Sequence, residues 1–311
     1  MLPAMPLMLP KKGNIAEIVE AKITESDRNN NLGVTFGTKN RSIFGADVLS
    51  YELFLQEAEL TKLCSTKSIL TANGSFPGPE IRVRRGDTVL VNVHNQGSHA
   101  VSIAWEGFKQ SIKDSDGLIQ PGRNFTYEIK LSDEIGTLWW HAKSAWASAT
   151  IHGAFVILPA AGESYPFPPP NADQTIVLGS WFKQELTETN APGKADGFTI
   201  NGHPGETYAC NDSTYHVQVD YGSDYLLRIV NAAVKETMVF GLDYHMFTVV
   251  GRDGAYTTRS FANSLTIAPA HTIDVVLRAD QNLGRYFMTA KPSSGELLAT
   301  GIIQYTITGA A

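Results

Sequence analysis

The chain is short of the residues that most enzymes and membrane proteins depend on. Only two of its 311 residues are cysteine, and neither Cys64 nor Cys210 sits in a Cys-Xaa-Xaa-Cys pair. That excludes a zinc ribbon and a thioredoxin-type redox site. It leaves either one long-range disulfide or two buried thiols. No run of about 18 apolar residues exists, so a membrane span is not expected. Charged residues make up only 18%, and the net charge is −6. Nucleic acid is therefore an unfavoured partner, because phosphate binding needs clustered Lys and Arg. The one basic cluster, Arg82, Arg84 and Arg85, alternates with Ile81 and Val83 and reads as the solvated face of a strand. There is no phosphate-binding glycine loop and no Gly-Xaa-Ser-Xaa-Gly elbow, so kinase and serine hydrolase chemistry lack support.

A secretory leader is also missing in its usual form. The apolar stretch MLPAMPLMLP precedes the first lysines instead of following them, and Pro3, Pro6 and Pro10 interrupt it. Taken alone, this start reads as cytosolic. Residues 1–46 stand apart from the rest. Asn14 and Glu17 form a capping-box pattern, and Ile15, Ile18, Val19 and Ile23 recur at helical spacing, which predicts a short amphipathic helix near 15–25.

From Tyr51 onward the texture is β. Short apolar runs such as IRVRRGDTVLVNV, TIHGAFVIL, YLLRIV and HTIDVVLRAD are separated by Gly, Pro, Asn and Asp. YELFLQEAELTK at 51–62 is ambiguous, with helix-forming composition but alternating Tyr51, Leu53 and Leu55. Four prolines in AAGESYPFPPPNAD mark a linker at 160–173, which divides the β-rich part into blocks at 47–159 and 174–311.

The order of motifs resembles that of plant laccases, which are multicopper oxidases related to ascorbate oxidase. LCSTKSILTANGSFPGPEIRVRRGDTVLVNVHN at 63–95 is similar to the opening of the family's first domain, and GTLWWHAKSAWASATIHGAFVILP at 136–159 to its end. YPFPPPNADQTIVLGSWF, FTINGHPGETYAC, YLLRIVNAAV and HMFTVVGRDGAY continue the likeness in order. The resemblance covers residues 48–308 and implies an all-β fold of two tandem cupredoxin-like Greek-key sandwiches. It also makes the ambiguous 51–62 segment a strand. A third cupredoxin domain, which the family carries, has no counterpart here.

The resemblance further implies copper. In the family, a blue copper held by a Cys and two His takes electrons from phenols and passes them to a three-copper cluster that reduces dioxygen. The blue-site Cys lies between two histidines, whereas the cysteines here occur as Leu-Cys-Ser and Ala-Cys-Asn. The cluster needs two His-Xaa-His pairs from the first domain, spaced so that both rings share one face of a strand. Where the first pair belongs, this chain has Ala104-Trp105-Glu106; where the second belongs, it has His141-Ala142-Lys143. His141 is thus the sole retained ligand position. Ala104 offers no donor atom, Lys143 places an ammonium where a cation should sit, and Glu106 is a hard donor better suited to Zn(II) or Mn(II) than to Cu(I). Glu106 and Lys143 are expected to neutralise each other across the vacated pocket. No bound cofactor is expected, unless the family's activity and its copper are retained.

His152 matches a position that the family uses structurally, and the other histidines show no ligand spacing. The tryptophans read as core, with Trp140 and Trp146 a minority candidate for lining a phenol-sized cavity. By resemblance, Cys64 and Cys210 pair across the two domains, which would contribute about 4–5 kcal/mol through chain entropy. Such a bridge persists only in an oxidising compartment, so the resemblance favours an extracellular, apoplastic protein over the cytosolic reading of the N-terminus. Sequons at Asn40, Asn124 and Asn211 agree with secretion; the one at Asn73 lies inside a packed motif and is not expected to be used.

Two functions follow as expectations. One is a copper-free protein that binds a phenolic ligand or a protein partner. The other is an oxidase of phenols and lignin precursors whose third domain is supplied by another chain. In either case, the face carrying Trp105, Glu106, Trp140, His141 and Lys143 is expected to seek cover, from self-association, from a different partner chain in a hetero-oligomer, or from the amphipathic stretch at 15–23.

Overall fold

The computed structural model describes residues 17–18, 38–40, 48–109, 112–113, 117–208 and 213–307. Among them, the first block forms a sandwich of two sheets. One has the order β1 (Glu17–Ile18), β2 (Thr38–Asn40), β3 (Val48–Lys62), β6 (Thr88–Asn95) and β8 (Asn124–Lys130), with β4 (Ser65–Ala72) folded back on β3. The other has the order β5 (Ile81–Arg84), β10 (His152–Leu158), β9 (Gly136–Ala142) and β7 (Ile103–Glu106). Strict alternation makes β6 a half-buried strand: Val89, Val91 and Val93 point inward and are fully buried. They meet Leu138, Trp140, Phe155 and Ile157 from the opposite sheet in a single apolar core. Segment 51–62 lies within β3, so its alternation prevails over its helix-forming composition.

The second block repeats the plan. One sheet runs β12 (Gly197–Ile200), β11 (Ala172–Trp181), β14 (Asp224–Asn231), β19 (Thr272–Arg278), β16 (Phe247–Arg252) and β17 (Ala255–Ala262). The facing sheet runs β13 (Tyr215–Asp220), β21 (Ala299–Thr306), β20 (Arg285–Pro292), β15 (Met238–Leu242) and β18 (Ser264–Ile267). Parallel pairs β3–β6, β5–β10, β11–β14 and β13–β21 sit inside otherwise antiparallel sheets, because the chain crosses from sheet to sheet between them. No helix among the described residues is long and apolar enough to cross a membrane.

The N-terminal region departs from expectation where it is described. Glu17–Ile18 lies within the stretch expected to be helical, yet it pairs antiparallel with Thr38–Lys39. In turn Thr38–Asn40 pairs with Val48–Ser50. β3 supplies an open edge for β2, and β2 supplies one for Glu17–Ile18, so pairing with a sheet edge prevails over the helical spacing. The remainder of the expected helix lies outside the described residues.

Two buried strands of the first domain explain their own sequences. In β9 and β10 nearly every residue is buried, on both faces. One face joins the first domain's core; the other packs against the second domain, so no polar alternation survives. Trp139, Ala154, Val177, Val230 and Ala232 form the apolar part of that seam.

The seam is also where the arginine expectation fails. Arg228 is completely buried, with Nε 2.7 Å from Asp173 Oδ2, while Arg82 Nη1 approaches the same oxygen at 2.8 Å. Arg82 Nε also donates to Glu80 at 2.5 Å, and Thr175 donates to the other Glu80 oxygen at 2.5 Å. Thr137 donates to Asp274 at 2.5 Å, and Arg228 reaches Tyr165 at 3.2 Å. Arg82 is therefore a domain-bridging residue and not part of a solvated face. Arg84 donates to the Pro159 carbonyl and Arg85 pairs with Glu163. Alternation alone cannot separate a solvated arginine from one that a second domain covers.

Candidate functional site

Register decides what the expected ligand positions face. β7 and β9 are antiparallel, with Ala104 opposite His141, Trp105 opposite Trp140, and Glu106 opposite Trp139. Ala104, Glu106, Trp139 and His141 therefore share the outer face, while Trp105, Leu138 and Trp140 point into the core. Along β9 this outer face changes character. Thr137 lies in the buried polar seam, Trp139 is 5% exposed beneath the second domain, and His141 opens towards solvent.

The chain brings His141 and Glu106 together. His141 Nε2 lies 3.0 Å from Glu106 Oε1, and its Nδ1 lies 2.7 Å from the Ala142 carbonyl oxygen. Both neighbours are oxygen acceptors, so both ring nitrogens already face partners within the protein. Glu106 thus has His141, diagonally across the β7–β9 pair, as a hydrogen-bond partner. Lys143 is exposed, and its backbone N–H donates to Ser102 O at 2.9 Å. Trp139 stacks on His141, with ring centroids 4.5 Å apart, and its Nε1 donates to the Ala270 carbonyl at 3.0 Å. The second domain therefore fixes the tryptophan, and the tryptophan fixes the imidazole.

His152 occupies the next strand on the same face, opposite His141. Its Nδ1 donates to the Ser148 carbonyl at 2.8 Å, and it is completely buried. Burial lowers its pKa to about 4, and the nearby His141 adds to the effect. It stays neutral and serves the core, in keeping with its expected structural role. Among the described residues, no group of three His, Cys, Asp or Glu side chains is close enough to hold a metal ion.

The face expected to be apolar is largely not so. Trp140 is fully buried, wedged where a Cβ on Gly78 or Gly153 would meet it at 2.8 and 2.7 Å respectively. It lines no cavity. Trp105 is half-buried and packs edge-on against Tyr127 and Phe155. What reaches solvent is the polar rim of Glu106, His141 and Lys143.

The other expected positions are distributed as follows. Cys64 lies at the tip of the β3–β4 hairpin, where Leu63 and Cys64 both adopt positive φ, as a two-residue hairpin turn requires. Cys210 and Asn211 lie outside the described residues. Asn124 is exposed at the start of edge strand β8, and Asn40 ends β2. At Asn73, the side chain works within the fold: Oδ1 accepts from Phe54 N at 2.7 Å, and Nδ2 donates to Glu52 O at 3.2 Å.

Sequence reasoning missed the seam network and its effects on acidity. Burial raises Asp173, but Arg82 and Arg228 outweigh it and hold the carboxyl below its ordinary range. Asp274 goes the other way, raised by burial that Arg228 and Thr137 offset only in part. The signal lay in isolated Arg228 and Asp274, charged residues in otherwise apolar strands.

Residues 55–162 and 172–307 each match a family profile described as multicopper oxidase. The chain belongs to the multicopper oxidase family. It is 41% identical over 284 residues to Laccase-2 of Oryza sativa subsp. japonica and 39% identical over 286 residues to Laccase-14 of Arabidopsis thaliana. Each alignment covers 84% of this chain and 50% of the relative, so the chain spans about half the length of the curated relatives it matches. Among solved structures, it resembles a laccase from Botrytis aclada at a TM-score of 0.73 and 23% identity, over 85% of this chain and 54% of that one. A structure described as a multicopper oxidase gives a TM-score of 0.73 at 19% identity, over 87% and 93% of the two chains. At these identities the structural matches establish the cupredoxin-type fold and nothing finer.

Proposed function

We propose that this multicopper oxidase family member works without copper, as a laccase-scaffold protein that binds a phenolic ligand or a protein partner. The observation that carries this reading is the His141–Glu106 pair, at 3.0 Å. The sole imidazole at the family's first-domain ligand positions is spent on a carboxylate and a carbonyl, while Ala104 supplies no donor and Lys143 supplies a positive charge. These residues do not fit a copper cluster. Nor does either cysteine fit a blue site, since neither has a flanking histidine. The reading includes secretion to the apoplast, a Cys64–Cys210 bridge and glycosylation at the exposed Asn124.

A second reading is a laccase-type oxidase completed by residues from another chain. It is favoured by the 41% identity to Laccase-2 of Oryza sativa subsp. japonica over 84% of this chain. One experiment separates the two: metal analysis of the purified protein, combined with dioxygen uptake on phenols. The first reading expects copper well below one equivalent and uptake at background. Stoichiometric copper with sustained uptake would overturn it.

A further inference from the structure

The β3–β4 hairpin does more than carry Cys64. It leans onto the second domain, where Leu63 packs with Trp181 and Lys67 lies 4.6 Å above the Trp181 ring. Between this hairpin and the connection that follows β11 runs a cleft, walled by Leu70, Trp146 and Leu186. We propose that this cleft binds a single aromatic ring bearing an aliphatic ammonium group, an inference that rests on reading the chain as a binding protein.

Size sets the first limit. The free volume is about 80 Å³. A cavity that closes fully around benzene measures about 150 Å³, so a single ring enters here only with its outer edge at the open mouth. The wall is suited to a ring: Trp146 is almost wholly buried, and His99 meets it edge to face at 5.1 Å. The site is also built closely. A Cβ on Gly97 would stand 2.6 Å from Leu70 Cδ1 and 3.4 Å from Glu57 Oε1, so this glycine lets the loop press Leu70 and Glu57 into place.

Charge sets the second limit. Glu57 and Glu185 lie at the mouth with Lys67. Lys67 is already committed, donating to the carbonyls of Phe182 and Gln184. Glu185 lies close enough to attract that ammonium. Glu57 is the carboxylate left over. Its Oε1 accepts from Ser98 N at 2.8 Å and Ser98 Oγ at 2.7 Å, and these bonds outweigh burial, keeping it ionised at neutral pH. One ammonium against two carboxylates gives the mouth a net negative charge. A carboxylated ring is repelled, a neutral ring gains packing alone, and a ring with an ammonium gains a charge-assisted hydrogen bond as well.

Calorimetric titration of the whole chain with three one-ring probes tests this. Tyramine carries an ammonium, 4-ethylphenol is its neutral counterpart, and 3-(4-hydroxyphenyl)propionate is anionic. Tyramine is expected to bind about tenfold more tightly than 4-ethylphenol, the scale of one charged hydrogen bond, and the anion not measurably. Glu57→Gln should erase the preference for the amine, and Leu186→Trp should fill the cleft and abolish binding of every probe. Thermal unfolding of both variants shows whether the fold is kept. Equal affinity for all three probes, or tyramine binding unchanged in both folded variants, would overturn the proposal. Copper and dioxygen uptake measured on the same preparation separate its failure from that of the functional reading. A copper-loaded, active protein defeats the function whatever the cleft does, and a copper-free protein that binds no ring defeats the cleft alone.

Discussion

His141 Nε2 and Glu106 Oε1 face each other at 3.0 Å across adjacent strands, on the face where Ala104 stands opposite the imidazole. The pair is only partly shielded, with side-chain exposures of 15% and 41%. It should therefore contribute no more than about 1 kcal/mol to stability. Glu106→Gln is expected to leave the denaturant midpoint nearly unchanged. Restoring imidazoles through Ala104→His, Glu106→His and Lys143→His together should tighten Cu(II) binding by at least about tenfold, or 1.4 kcal/mol. Dioxygen uptake by this chain should stay at background, because neither Cys64 nor Cys210 has a flanking histidine to form an electron entry. Turnover by the triple variant would refute this account of the site.

Arg228 governs the seam between the domains. Its guanidinium faces Asp173 and Asp274, at 2.7 and 3.8 Å. Arg228→Met leaves both carboxylates under-compensated in a buried setting and should cost about 3–5 kcal/mol. Arg82→Met should cost less, since its side chain is 37% exposed and water can replace part of what it gives up. Urea unfolding compares the two directly. An Arg228→Met protein as stable as wild type would show that the network is ornamental.

How much of this could be read in the sequence depends on where each residue's neighbours come from. Val89, Val91 and Val93 declare their strand because their packing follows from local alternation. His141 and Glu106 were legible as a site through motif order, but their pairing needed the β7–β9 register. Arg82 and Arg228 stand out in the sequence only as charges among apolar residues, and that both meet Asp173 follows only once β5, β11 and β14 are placed together. Trp139 and Trp140 look interchangeable in the chain, yet one faces the second domain and the other the first core.

Residues 38–40 cover part of one edge of β3, at Val48–Ser50. Deleting residues 1–46 should uncover that edge and favour edge-to-edge association. Light scattering on the deleted form is expected to show a larger mass than full length at equal concentration. A deleted form that stays monomeric would remove any role for the N-terminal region as a cover.

The hairpin tip at Cys64 is expected to be tied to Cys210. Non-reducing peptide mapping should recover the two cysteine peptides as one species. Replacing both with serine should cost about 2–5 kcal/mol, the usual range for a native disulfide in a secreted domain. Two separate peptides with alkylatable thiols would refute the bridge and restore the cytosolic reading of the N-terminus.

His152 should give the protein a distinct weakness towards acid. Its folded pKa is lowered to about 4 from an ordinary value of 6.5, chiefly by complete burial. Between those values the unfolded chain takes up a proton that the folded chain refuses. Stability from this group is therefore complete above pH 6.5 and declines as the pH falls towards 4. A shift of that size corresponds to about 3 kcal/mol across the window. His152→Asn keeps a donor for the Ser148 carbonyl but no longer titrates. The variant should lose some stability at neutral pH and show a flatter decline between pH 6.5 and 4 than wild type. Asp173, held below its ordinary range by Arg82 and Arg228, has its own loss only at lower pH, so the two effects separate along the pH axis. Parallel pH–stability curves for wild type and His152→Asn would mean that the ring is protonated in the folded state, contrary to its burial.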